Sequence, residues 1–204
     1  MTVPTVFVVD DNPSVRTSIQ ALVEAAGLPV ETYASALEFL AAYDPGRPGC
    51  LVLDVRLRGE SGLDLQDELR KRDAILPIII ITGYADVRGA VRAFKGGAVD
   101  FLRKPVAPKT LIGQIRAAIE GDRRTREAAA QRDTVTDHVG QLTPRERQVM
   151  ELLAVGRSSK EIATALALSA RTVEGHRRNV LRKMHVESAV QLARVIAGTR
   201  RPAS

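Results

Sequence analysis

Four apolar runs in this chain each lead into a polar residue of a different chemical kind. TVFVV is closed by Asp10-Asp11, CLVL by Asp54 and PIIII by Thr82, and VDFLR runs into Lys104. Two adjacent carboxylates repel each other unless a cation lies nearby. Hard oxygen ligands of this kind suit Mg2+, which keeps several waters and takes one or two carboxylates. Beside such an ion, Asp54 can attack phosphorus and become an acyl phosphate. The ion and Lys104 would neutralise the phosphoryl oxygens, the electrostatic contribution that dominates this chemistry, and Thr82 can donate its hydroxyl to one of them. Lys104-Pro105 is an X-Pro bond, where the cis form costs little and would aim the lysine inward. Each residue alone is ordinary, since an aspartate after a strand commonly serves a turn or a helix cap. The conjunction on four separate strands carries the argument for phosphoryl transfer to Asp54.

Such a site needs a scaffold that brings the strand ends together. Strand carboxyl ends converge on one crevice in an open parallel α/β sheet. Strands read at 5–10, 29–33, 50–54, 77–82 and 99–103, mostly as the continuous Val/Ile/Leu runs of strands buried on both faces. Helices read between them at 13–26, 35–43, 62–73 and 86–96, with a fifth from about 108. Pro13 suits a first helical turn and Gly27 a C-terminal cap. Five βα units predict a doubly wound five-stranded parallel sheet with right-handed crossovers, of the α/β class.

The composition sets the class. At 204 residues the chain has room for two domains, and 45% apolar residues with only 3% aromatic predict aliphatic cores. No run approaches the roughly 18 apolar residues of a membrane span, and no leader peptide is read. The single cysteine, Cys50, excludes an internal disulfide, fits a reducing cytoplasm and is expected to pack in the third strand without a redox role. Charge divides the chain sharply. Residues 1–120 hold 14 Lys+Arg and 15 Asp+Glu, whereas 121–204 hold 16 and 9, so the whole +6 excess lies in the second part. A small basic domain attached to a neutral one predicts a polyanionic partner.

Between 121 and 140 the sequence GDRRTREAAAQRDTVTDHVG has many charges and no apolar core stripe. It reads as a helical linker extending the fifth helix to about Asp133 on alanine and arginine propensity, with a looser stretch after it. Residues 141–204 are helical in pattern. Thr143-Pro144-Arg145-Glu146 is a capping box with proline at the first helical position, and Ser158-Ser159-Lys160-Glu161 opens a second short helix in the same way. Ser169 can cap a third helix to about Met184, and Ser188 a fourth. In TALALSARTVEGHRRNVLRKM, a short helix, a tight turn and a longer helix follow the helix-turn-helix plan. Val173, Val180, Leu181 and Met184 form the apolar stripe of the longer helix. Arg171, Glu174, Gly175, Arg178 and Arg182 fall opposite, making a basic face able to enter a major groove.

Residues 1–120 resemble the receiver domain of two-component response regulators, with every principal motif position filled. The resemblance implies a flavodoxin-like fold with strand order 2-1-3-4-5, phosphorylation of Asp54 by a sensor histidine kinase, and Mg2+ held by Asp11, Asp54 and the carbonyl of Arg56. Asp10 would act through water, Thr82 and Phe101 would form the switch pair, and Lys104 would bind the phosphoryl group. Two departures stand out. Arg58 lies four residues beyond Asp54 where many receivers have proline, and Arg56 and Tyr84 lie two beyond Asp54 and Thr82, bordering the path of attacking water.

Residues 142–198 resemble the LuxR-type helix-turn-helix, through LTPRERQVMELLAVG, SSKEIATALALS and RTVEGHRRNVLRKMHV. That resemblance places base-reading positions at Glu174, Gly175 and Arg178, with Lys160, Thr172, Arg177 and Lys183 nearer phosphates. Together the two blocks are similar to the FixJ/NarL subfamily of transcriptional response regulators. This implies a cytoplasmic protein that dimerises when phosphorylated, binds double-stranded promoter DNA and meets RNA polymerase. It would not be an enzyme beyond Mg2+-dependent self-phosphorylation and slow self-dephosphorylation. An aspartate-nucleophile phosphatase is disfavoured, because no second acid/base carboxylate and no substrate cap are visible. A phosphate-independent regulator is disfavoured by the intact Asp11, Asp54, Thr82 and Lys104.

Overall fold

The computed structural model describes residues 2–83 and 87–199. Five parallel strands are assembled from the apolar runs: β1 (Thr5–Val9), β2 (Val30–Tyr33), β3 (Gly49–Asp54), β4 (Ile78–Thr82) and β5 (Asp100–Arg103). Their order is β2-β1-β3-β4-β5, the doubly wound order expected of the receiver resemblance. The side-chain period of two splits each central strand between two layers. Phe7, Val9, Leu51, Leu53, Ile78 and Ile80 face one way, onto a core shared with Ala36, Phe39, Leu63, Leu65, Leu69 and Ala93. Those partners lie on helices α2 (Ala36–Ala42), α3 (Gly62–Lys71) and α4 (Val87–Lys95). Val6, Val8, Cys50, Val52, Ile79 and Ile81 face the other way, onto Ile19, Val23, Leu111, Ile115 and Ala118. These belong to α1 (Pro13–Ala25) and α5 (Pro108–Gly140).

The chain divides into two units, 1–126 and 127–204. Within the first, the base of β3 is fixed by a side chain distant in sequence. Gly49 donates its N–H to the buried carboxylate of Asp122 at 2.9 Å. Arg126 grips Asp122 at 2.8 Å and donates to the carbonyl oxygens of Pro45 and Arg47, both at 2.9 Å. A side chain at Gly49 has no room, since a Cβ there would lie 1.9 Å from the Thr5 carbonyl oxygen. The stretch that reads as a solvated linker thus begins with a buried ion pair that closes the bottom of the sheet.

The second unit contains α6 (Pro144–Ala154), α7 (Ser159–Leu166), α8 (Ala170–Lys183) and α9 (Ala189–Thr199). Both capping boxes form, on Thr143 with Glu146 and on Ser158 with Glu161, and Ser169 caps α8 by accepting from the Thr172 N–H at 3.0 Å. The core is aliphatic, built on Val149, Leu153, Ile162, Val173, Val180, Met184 and Leu192. All four phenylalanines and three tyrosines of the chain precede residue 127.

One expectation is corrected. Residues after Asp133 are not a looser stretch, because α5 continues unbroken to Gly140. Val135 and Val139, four apart, turn into the second unit's core. The Thr134 and Thr136 hydroxyls donate back to the carbonyls of Ala130 and Arg132, both at 2.9 Å, so each finds its partner inside the helix.

Asp122→Ala leaves the Gly49 N–H unsatisfied and the Arg126 guanidinium without its counter-charge. It should destabilise the first unit by about 3 kcal/mol, read as an earlier loss of near-ultraviolet circular dichroism on heating. A variant that melts with wild type would show that the pair does not hold the sheet.

Candidate functional site

The strand-end residues do converge. β3 and β4 pair so that Asp54 faces Ile81, and β4 and β5 so that Thr82 faces Arg103. The Lys104 backbone N–H then donates to the Thr82 carbonyl at 2.7 Å, and the Lys104-Pro105 peptide is cis. The Lys104 ammonium lies 2.6 Å from Oδ2 of Asp54 and 2.6 Å from Oδ2 of Asp10. Asp10 and Thr82 are fully buried, and Asp54 nearly so. Asp10 accepts the Asn12 N–H at 2.9 Å, and Asn12 in turn caps α1. Asp54 accepts the Arg56 N–H at 3.1 Å. Gly62, the first residue of α3, passes so close that a Cβ would lie 2.0 Å from the Asp54 carbonyl oxygen.

Burial pushes the Asp54 carboxyl up, with Lys104 and the Arg56 N–H opposing it. Burial also works against the Lys104 charge, but its hydrogen bonds to Asp10 and Asp54 outweigh this and raise its pKa. Carboxylate oxygens of Asp10, Asp11 and Asp54 lie within 4.8 Å of one another. Three hard oxygen donors at this spacing fit a divalent cation of the Mg2+ type. Phe101 lies partly buried against the first core and lines a cavity of about 310 Å3 together with Val55, Arg56, Leu63, Arg88, Gly89 and Arg92. Tyr84 lies outside the described residues.

Sequence reasoning missed one contact at this site. Asp11 forms an ion pair with Arg58, Nε to Oδ2, at 3.6 Å. Arg58 sits at the turn of a small antiparallel ribbon, Arg56–Leu57 with Glu60–Ser61, and this ribbon has no sequence periodicity long enough to announce it. The available signal was the charge of Arg58 itself, at a position where the receiver resemblance leads one to expect proline.

In the second unit, a three-residue turn through Ala167 (φ 54°) joins α7 to α8. Val173, Val180 and Met184 are buried, and Leu181 packs at their margin. Lys160, Arg171, Thr172, Glu174, Gly175, Arg178 and Arg182 are exposed, and Arg177 is half-buried. The Glu174 carboxylate is engaged by the Ser159 hydroxyl from α7 and lies 3.8 Å from Arg177.

Lys183, which the sequence places near a phosphate, is engaged within the protein in this structure. Its ammonium turns inward to Oε2 of Glu146 at 2.7 Å and to the Gln141 carbonyl at 3.2 Å. Glu146 is the buried carboxylate of the α6 capping box, so the pair ties the end of α8 to the start of α6. The bond between ammonium and carboxylate is charge-assisted, and so stronger than a neutral one of the same geometry.

Comparison with known proteins agrees with this division. Residues 6–116 match the response regulator receiver domain, and residues 140–196 match the bacterial regulatory proteins of the luxR family. Nodulation protein W of Bradyrhizobium diazoefficiens is 44% identical over 93% of this chain and 84% of its own length. Transcriptional regulatory protein FixJ of Azorhizobium caulinodans is 42% identical over 93% and 90%. Among solved structures, response regulator StyR aligns with a TM-score of 0.86 at 38% identity, covering 96% of this chain and 99% of that one. Full-length FixJ from B. japonicum aligns at 0.61 and 38%, covering 98% of each.

The Lys183 ammonium and the Thr143 backbone N–H hold the Glu146 carboxyl at about 2, below its usual 4.5. A lowered folded-state value means that this carboxylate's contribution is complete above about pH 4.5 and is lost as the pH falls toward 2. Glu146→Gln should therefore flatten the second unit's acid-induced loss of helical signal across that window. Lys183→Met should lower its neutral-pH stability by about 1–3 kcal/mol, followed by far-ultraviolet circular dichroism. It should also leave the salt dependence of DNA binding unchanged; a slope reduced by about one unit would restore Lys183 as a phosphate contact.

Proposed function

This chain belongs to the two-component response regulators of the FixJ/NarL subfamily, and on that premise we propose that phosphorylation of Asp54 switches its DNA binding. The observation that carries the reading is the Lys104 ammonium at 2.6 Å from both Asp54 and Asp10, at the end of three buried strands. In this reading residues 1–120 are the receiver, 121–140 the helical linker and 141–204 the DNA-binding domain. Asp54 attacks the phosphorus of a phosphohistidine on a cognate sensor histidine kinase, forming an O–P bond as the N–P bond breaks. Asp11, Asp54 and the Arg56 carbonyl would hold Mg2+, with Asp10 acting through water, and the ion would supply positive charge to the phosphoryl oxygens. Lys104 moves from the Asp54 carboxylate to a phosphoryl oxygen, and the Thr82 hydroxyl donates to another. The only catalysis assigned to the chain is self-phosphorylation from a donor and slow loss of its own phosphoryl group.

As Thr82 moves, Phe101 turns inward, and the surface of α4, β5 and α5 changes. Val87, Val91 and Phe94 form an exposed apolar stripe on α4, 80%, 47% and 53% accessible, at the spacing of one helical face. Arg88 and Lys95 flank it. An exposed apolar stripe of this kind supports dimerisation of the phosphorylated form through this surface. A dimer presents two copies of α8 to symmetry-related half-sites in promoter DNA. Arg178, with Glu174 and Gly175, reads bases; Lys160, Thr172 and Arg177 lie nearer the phosphates, and Arg171 and Arg182 complete the basic face. The bound dimer would meet RNA polymerase in the cytoplasm.

Incubated with a small phosphodonor and Mg2+, the wild-type chain should gain one phosphoryl group by intact mass and Asp54→Asn none. An equal gain in the variant would remove Asp54 from this role. Arg178→Ala should lose about 1–3 kcal/mol of specific binding and relax preference at one base position, measured on specific and scrambled duplexes. Equal weakening on both would make Arg178 a docking residue instead.

A further inference from the structure

We infer that Arg58 is the resident counter-ion of Asp11, held there until a divalent cation exchanges for it. The inference rests on the reading of Asp11 and Asp54 as cation ligands. Lys104 bonds Asp10 and Asp54 but not Asp11. Among the described residues, the cation paired with Asp11 is Arg58, at 3.6 Å. Three carboxylates, one ammonium and one guanidinium leave a formal charge of −1 at the crevice. Without Arg58 that charge would be −2.

The two partners differ in how firmly they are held. The Asp11 side chain is 28% exposed and fixed beside the start of α1, whereas that of Arg58 is 87% exposed at the turn of the ribbon. A guanidinium on so solvated a stem loses little when it leaves, since exposed ion pairs are weak. A divalent cation on Asp11 would face the Arg58 charge at close range, so the two cannot share that carboxylate comfortably. Arg58 therefore lowers the apparent affinity of the site for its cation, because the carboxylate must first be freed. It also keeps Asp11 from standing as an uncompensated charge when no cation is bound. Once displaced, Arg58 remains tethered at the mouth of the site, in the ribbon that precedes Gly62, the first residue of α3, and can return when the cation departs.

The test is a titration of the full chain with Mn2+, followed by electron paramagnetic resonance of the free ion, with Mg2+ as competitor. Wild type, Arg58→Gln, Asp11→Asn and the double variant form a cycle that isolates the pairing. Arg58→Gln should bind about two- to fivefold more tightly than wild type at low ionic strength, the range expected from releasing an exposed ion pair. In the Asp11→Asn background the same substitution should change nothing. Equal affinity of wild type and Arg58→Gln would overturn the counter-ion role while leaving the cation site in place. The same tightening in both backgrounds would also overturn it, assigning the effect to charge at a distance. No Mn2+ binding by wild type, or undiminished binding by Asp11→Asn, would instead remove Asp11 as a ligand, and the inference with it.

Discussion

An ammonium shared between two buried carboxylates is the interaction on which the strand-end crevice depends. Asp10 and Asp54 are carried by neighbouring strands whose apolar residues leave almost no water beside them. Without Lys104 at 2.6 Å from each, two carboxylates in that setting would repel each other and raise the cost of burying either. Much of the surrounding backbone is arranged to hold that ammonium there. The Lys104 N–H is fixed to the Thr82 carbonyl, β4 and β5 are in register up to that point, and Asn12 links Asp10 to the first turn of α1. A change at the Asp54 carboxylate would therefore disturb a contact that several elements share, which is the physical requirement for a local event to be felt at the surface.

The helical unit repeats the device in a static form. Glu146 is buried, and its charge is compensated by Lys183 and by the N–H of its own cap. Here the pair joins two helices. The contrast explains why one buried carboxylate is read as reactive and the other as structural. At the crevice, three carboxylates meet and only part of their charge is answered by protein cations; at α6 a single carboxylate is fully answered.

Much of this was legible in the sequence, for identifiable reasons. Continuous apolar runs are a strong signal for strands buried on both faces, as β1, β3 and β4 are; the edge strands β2 and β5 are only partly buried, and all five form the expected sheet. Capping boxes at Thr143 and Ser158 are local motifs and formed as read. What escaped was set by distance or by phase. Asp122 finds Gly49 across 73 positions, so nothing near it in sequence distinguishes it from a solvated charge. Val135 and Val139 are only two apolar residues among polar ones, too sparse a stripe to outweigh the charges around them. Lys183 lies near the boundary between the buried and exposed faces of α8, where helical phase alone does not decide which way a long side chain turns. Arg58 meets Asp11 through a two-residue ribbon below the length at which periodicity is informative.

The uneven distribution of aromatic residues has an optical consequence. The second unit holds no tyrosine, tryptophan or phenylalanine, while Tyr33 and Tyr43 pack beside Phe39 in the first. Tyrosine emission and near-ultraviolet ellipticity therefore originate from one half of the molecule alone, whereas the far-ultraviolet peptide bands, which report secondary structure, are fed by both. A single sample thus carries two spectroscopic channels. Comparing them separates melting of the first unit from melting of the second without a label or a cut in the chain.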